Sequence, residues 1–231
     1  MKKMYWYIDL KQIVKAGIHF GHNAKNWKSQ MLPYIYISRK NICVINIITT
    51  INFLTKASDL VFNAAKKGKE FLIIGTEKKI SNLISRAAIK IRCHYINKKY
   101  LVGILTNWYT TKILLYKFRN LKIKQENLKT ISTKKFIILR RQLSHLQKFL
   151  YGILYMTSLP DVIIGIDYQD KYLFKECTYL KIPIIWLLDT NCDPDFTDIF
   201  IPMNDNSIVS IRLILNKLIF SICKGYSNFK K

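Results

Sequence analysis

An α/β fold, an open and mostly parallel sheet flanked by helices with a protruding coiled-coil-like helical hairpin inserted, is predicted by three features of the sequence. The first is Ile184 to Leu188, an apolar run without alternation followed by the turn-forming Asp189-Thr190-Asn191-Cys192-Asp193-Pro194-Asp195. Such a run suits a strand covered on both faces by helices, and the polar stretch carries the chain off its carboxyl end. The second is the succession of strand-like segments and segments with helical apolar spacing along most of the chain. The third is a four-three repeat of Leu139, Leu143, Leu146, Leu150 and Ile153, the seam of a helix that packs on one partner helix.

Taken in order, Asp9 to Ala16 reads as a short helix ended by Gly17, and His19-Phe20-Gly21-His22 as a glycine-broken segment. Met31 to Arg39 and Asn41 to Ile45 read as two strands of a hairpin with a basic tip at Ser38 to Asn41. Asn46 is placed to cap a long helix to Lys67, with Ile47, Ile51, Leu54, Ala57, Val61 and Ala65 on one face and Gly68 as terminator. Glu70 to Ile74 is the next strand, and Gly75-Thr76 turns into a helix over Lys79 to Ile91. A short strand, His94 to Ile96, precedes a loop over 97–108.

Thr106 or Asn107 then caps a helix to about Lys124, with Trp108, Leu115, Phe118 and Leu121 inward and the hairpin tip at 125–134. Pro160 breaks the second arm helix, Asp161 to Ile166 returns as a parallel-type strand, and 170–180 forms a crossover helix. Asp198 to Pro202 is the last strand, and Asn206 or Ser207 caps a closing helix through Ile208, Ile211, Leu215, Leu218 and Ile222. The expected division is 1–105 and 158–231 as the two parts of the α/β domain, with 106–157 as the inserted hairpin.

Charge is the outlying property. Lys and Arg total 38 against 14 Asp and Glu, a net charge of +24, in a chain that is 50% hydrophobic. The excess is uneven: residues 1–158 hold 30 basic and 5 acidic groups, whereas 159–210 hold 3 and 9. This asymmetry predicts a polyanionic partner, with nucleic acid first. Five unclustered cysteines without a C-x-x-C pair argue for free thiols and against structural zinc. No apolar run approaches the ~20 residues of a bilayer span, and no signal-peptide core stands at the start, so no membrane partner is expected.

The motifs carry no chemistry. Gly75-Thr76-Glu77-Lys78-Lys79 opens a helix after a strand, a place where backbone N–H groups attract phosphate, but no nucleotide-binding glycine pattern is present. Lys78 and Lys79 suit an RNA backbone better. His19 and His22 lack a nearby third ligand, so neither a metal nor a cofactor is expected; contact with RNA or a loop-holding role fits them. Asp189, Asp193, Asp195 and Asp198 do not match a calcium loop, which leaves them turn and cap duty. Asp161 and Asp167 at strand ends are poor acid/base candidates. A nucleotide-dependent enzyme using the sheet crevice, or a non-ribosomal RNA-binding module, is the competing expectation.

Several stretches together resemble one family, the bacterial-type ribosomal protein S two of the small subunit, in its plastid form. They are A-G-I-H-F-G-H (Ala16 to His22), W-x-x-x-M-x-P-Y-I (Trp27 to Ile35), I-G-T-x-K-K (Ile74 to Lys79), Y-I-N-K-K-Y-L-x-G-x-L-T-N-W (Tyr95 to Trp108) and L-P-D-V-I-I (Leu159 to Ile164). The longest run from Ile182 to Asp195 and from Ile201 to Leu215. Tyr5 to Leu10 and Arg141 to Leu150 resemble the land-plant plastid branch. Glu77 stands where the family usually has a basic residue.

The resemblance implies a flavodoxin-like sheet with a protruding helical hairpin and no catalytic activity or small-molecule substrate. It further implies a place in plastid ribosomes, on small-subunit rRNA and neighbouring ribosomal proteins, the S one protein among them. Residues expected to meet rRNA are His19, His22, Lys25, Trp27, Lys28, Arg39, Lys40, Lys78, Lys79, Lys98, Lys99, Asn107, Lys112 and Arg119.

Overall fold

A computed structural model describes residues 6, 8–127, 133–166, 171–197 and 199–229. Five strands, β4 (Phe71–Ile74), β5 (His94–Ile96), β6 (Val162–Gly165), β7 (Ile184–Leu188) and β8 (Ile199–Pro202), form a parallel sheet in the order β5-β4-β6-β7-β8. Every residue of β4, β6 and β7 is buried, as their unbroken apolar runs require.

Alternate side chains of these strands feed two cores. Phe71, Ile73, Ile164, Ile185, Leu187 and Ile201 pack under α1 (Leu10–Ala16), α2 (Ile47–Lys66), α3 (Ser81–Ile91) and α7 (Ile208–Phe229). Leu72, Ile74, Ile163, Ile184, Trp186 and Leu188 face α4 (Trp108–Asn127), α5 (Thr133–Leu150) and α6 (Lys171–Leu180). At the α2–α7 crossing a Cβ on Gly225 would lie 2.5 Å from Ala65 Cβ and 2.7 Å from the Phe62 carbonyl oxygen, so only glycine lets the two backbones approach this closely.

Asn46, Asn107 and Ser207 cap where the sequence places them, and Asp9, expected as the first residue of α1, is instead its cap. Asp9 accepts from Lys11 N at 3.0 Å, Asn46 from Ile48 N at 3.0 Å and Asn107 from Thr110 N at 3.3 Å, while Gly17 ends α1 with φ +72°. Ser207, whose Oγ accepts from Ser210 N at 3.4 Å, starts α7. The arm seam forms as spaced: Leu115 and Phe118 of α4 are buried with Leu139 and Leu143 of α5.

Four segments differ from expectation. Phe20–Asn23 is a strand, β1, pairing antiparallel with β3 (Ile42–Ile45), which also pairs with β2 (Ile35–Arg39). Ser29–Tyr34 is a 3-10 helix rather than the start of β2; Pro33 has no N–H for a ladder and its ring fixes a helical φ. A 3-10 turn over Lys78–Ile80 delays α3 to Ser81, and Ile153 sits in another after α5. Parts of the hairpin tip, with Asp167 and Asp198, lie outside the described residues.

Candidate nucleic-acid interface

The carboxyl ends of β7 and β8 meet the β1 strand in a polar crevice. Gly21 makes this possible: a Cβ there would stand 2.6 Å from Thr190 Cγ2 and 3.1 Å from the Cys43 carbonyl oxygen. With that space open, His22 N donates to Thr190 Oγ1 at 2.9 Å and Lys28 N to the Thr190 carbonyl at 2.9 Å. The His22 ring bridges the loops, with Nδ1 3.0 Å from the buried Asp189 carboxylate and Nε2 3.0 Å from Asn206 Nδ2 and 3.3 Å from Asn191 Nδ2.

The hydrogen bond to Asp189 raises the His22 pKa. Burial, then the Asp189 charge, pushes Asp205 up to about 7. One donor atom from each of His22, Asp189 and Asp205 lies within 4.8 Å of the others, a set able to hold a metal ion. The spacing of His19 and His22 gave no sign of it, because the two carboxylates arrive from loops over 160 residues away.

A separate basic cleft of about 490 Å³ opens beside the first turn of α3. Thr76, Lys78, Ser81 and Asn82 line one wall, Asn97, Lys98 and Lys99 the loop after β5, and Lys148 with Phe149 the end of α5. The four lysines are exposed, and among the described residues no carboxylate pairs with them. Asn97 Nδ2 donates to the Ser81 carbonyl at 3.1 Å and ties the loop to the helix. An exposed cationic cleft with a half-buried aromatic at its edge offers counter-charge to phosphates and a ring for a base.

The structure thus brings Lys78, Lys98 and Lys99 together in the cleft and the backbones of His22 and Lys28 together at Thr190, and leaves the other expected residues dispersed. Arg39 and Lys40 stand exposed at the hairpin tip, where Lys40 and Asn41 take φ of +50° and +61°. Lys25 is exposed and Trp27 half-buried; Lys28 Nζ lies 4.0 Å from Asp193. His19 stacks on Phe20 at a 4.1 Å centroid distance, and burial lowers its pKa.

Lys79 Nζ pairs with Glu77 at 2.8 Å, and Lys112 Nζ sits 5.6 Å over the Trp108 ring. Two of the expected residues are spent on the fold itself. Asn107 caps α4, and Arg119 Nε donates to the Leu154 carbonyl at 2.8 Å across the base of the arm. Asp193 caps the 3-10 turn Pro194–Phe196, and Asp161 Oδ2 accepts from Glu70 N at 2.9 Å, so both carboxylates serve the backbone.

Sequence reasoning missed Lys148, Asn97 and Phe149 in the cleft. It also missed Glu176, a buried carboxylate that accepts from Gly103 N at 2.6 Å, Leu105 N and Thr106 N at 3.0 Å, and Thr106 Oγ1 at 3.2 Å. Helical spacing marks the Lys148 position on α5 but says nothing of what lies across from it.

A parallel α/β sheet that carries a polar crevice braced by its own hydrogen bonds, and a cleft of unpaired lysines, defines a basic α/β scaffold protein. The family model described as Ribosomal protein S2 matches residues 13–225, and the chain belongs to that family. Membership gives it a structural, non-catalytic role in the small ribosomal subunit, in translation.

Proposed function

We propose that this chain is the plastid, bacterial-type member of its family and is held in the small subunit by rRNA, with the α3 cleft as its principal phosphate seat. The single observation that carries the reading is the convergence of Lys78, Lys98, Lys99 and Lys148 on one cavity without a neutralising carboxylate among the described residues. Arg39 and Lys40 at the hairpin tip add a second basic contact, and His22 acts by holding the crevice loops rather than by touching RNA. Neighbouring ribosomal proteins, the S one protein among them, take the remaining contacts, and no small-molecule substrate enters the mechanism.

Each phosphate neutralised by Lys or Arg contributes about −0.7 to −0.9 to the slope of log affinity against log salt. Replacing Lys78, Lys98, Lys99 and Lys148 by Gln therefore flattens the slope for a small-subunit rRNA transcript by about 3. Binding titrations from 50 to 200 mM salt test this, and an unchanged slope refutes the assignment. Cosedimentation of the chain with small subunits in plastid extract tests the compartment, which rests on the likeness of Tyr5 to Leu10 and Arg141 to Leu150 to the land-plant plastid branch.

A further inference from the structure

A second basic cavity lies on the opposite side of α3 from the cleft. It has a volume of about 430 Å³ and runs along the seam between α3 and α7. Its floor is apolar, with Leu83, Ala87, Leu215 and Ile219, and its rims carry Lys79, Arg86 and Lys90 from the α3 side and Arg212 from α7. None of these cations belongs to the expected contact set except Lys79. Arg86, Lys90 and Arg212 are exposed, and among the described residues no carboxylate pairs with them.

The arrangement is directional. Arg86 and Lys90 stand four residues apart on one face of α3, about 6 Å along its axis, with Arg212 of α7 across the groove; Lys79, in the turn before them, is already paired with Glu77 at 2.8 Å. A line of cations over an apolar floor matches a chain of regularly spaced anions better than a single ion. Two of the four are arginines, whose planar forks fit phosphate oxygens in pairs. Asn82 lines this groove and also the cleft on the other side, so the two cavities adjoin across the first turn of α3.

We infer that the α3–α7 groove is a second RNA-binding site, in which Arg86, Lys90 and Arg212 hold a phosphodiester backbone continuing from the cleft past the shared Asn82. The inference rests on the reading of the cleft as an RNA seat and extends it to a face that reading leaves unused. Phosphates lie along the cationic rims, while Leu83 and Ile219 bound the groove without hydrogen-bonding to bases, so the grip is indifferent to sequence.

The test compares two variants of the full chain, R86Q/K90Q/R212Q in the groove and K78Q/K98Q/K99Q in the cleft. The probes are a small-subunit rRNA transcript and, separately, poly-glutamate. All six side chains are exposed, and unchanged thermal melting midpoints confirm that folding is intact. The groove variant is expected to flatten the salt slope for the transcript by about 2, which shrinks the affinity loss between 50 and 200 mM salt roughly twentyfold. R86K/K90R/R212K, which keeps the charges, is expected to retain the parent slope.

A groove variant with the parent slope beside a flattened cleft variant overturns the inference and leaves the cleft reading standing. Parent slopes in both variants overturn the two together. A groove variant that loses poly-glutamate but keeps the transcript assigns the groove to an acidic polypeptide and also overturns the inference.

Discussion

Replacing Glu176 by Ala tests how the helical arm is fixed to the sheet. The carboxylate reaches from α6 to the turn that launches α4, accepting from three backbone N–H groups and one hydroxyl at 2.6 to 3.2 Å. Leu105 is fully buried, so its N–H loses its partner without gaining water, at about 1–3 kcal/mol. Gly103 is half-buried and Thr106 exposed, and both regain water, at the low end of roughly 0.5–1 kcal/mol each. The Ala variant should lose about 2–4 kcal/mol of unfolding free energy, read as a lower urea midpoint at constant m-value. Gln, with one accepting oxygen and an amide that confronts the donors, should fall between parent and Ala. Hydrogen exchange at Leu105 and Thr106 should accelerate in parallel. A loss below about 0.5 kcal/mol, the scale of an ordinary surface change, would refute the claim that this carboxylate anchors the arm.

Two further perturbations probe the parts around it. Gly21→Ala drives a methyl into Thr190 and the Cys43 carbonyl and should cost about 1–3 kcal/mol while separating the His22 and Asp189 loops; a neutral urea midpoint would contradict the close approach. Burial pushes the Cys177 and Cys192 thiols from about 9 up to about 12, so alkylation at pH 8 should be about a thousandfold slower in the native than in the unfolded chain, and comparable rates would show these sites open.

The parallel sheet was legible because its strands are covered on both faces. Ile184 to Leu188 and Val162 to Gly165 show no alternation, and local turn and capping residues mark their ends. The packing of α4 on α5 was legible because its apolar seam repeats within one stretch of chain. The β1 strand was hidden by its composition, as Gly21 and Asn23 disfavour a strand and the segment is held by pairing to Val44 and Ile42 about twenty residues along the chain.

The basic cleft was legible in part. Lys78, Lys98 and Lys99 stand next to glycine and turn signals that sequence reading finds, whereas Lys148 joins them only because α5 folds back across the sheet. Arg119 and Asn107 show the converse. Both are polar residues beside a basic segment, and nothing local tells that the fold has claimed their hydrogen bonds. The His22, Asp189 and Asp205 cluster is likewise a product of topology, assembled from strand β1 and two loops at the parallel sheet's carboxyl end.

Lysine acetylation followed by mass spectrometry, on the free chain and on purified small subunits that contain it, measures directly whether the α3 cleft faces RNA. Lys78, Lys98, Lys99 and Lys148 are exposed and should label readily in the free chain, then become protected in the subunit until its RNA is digested. Equal labelling of these four lysines in the two states would contradict the account.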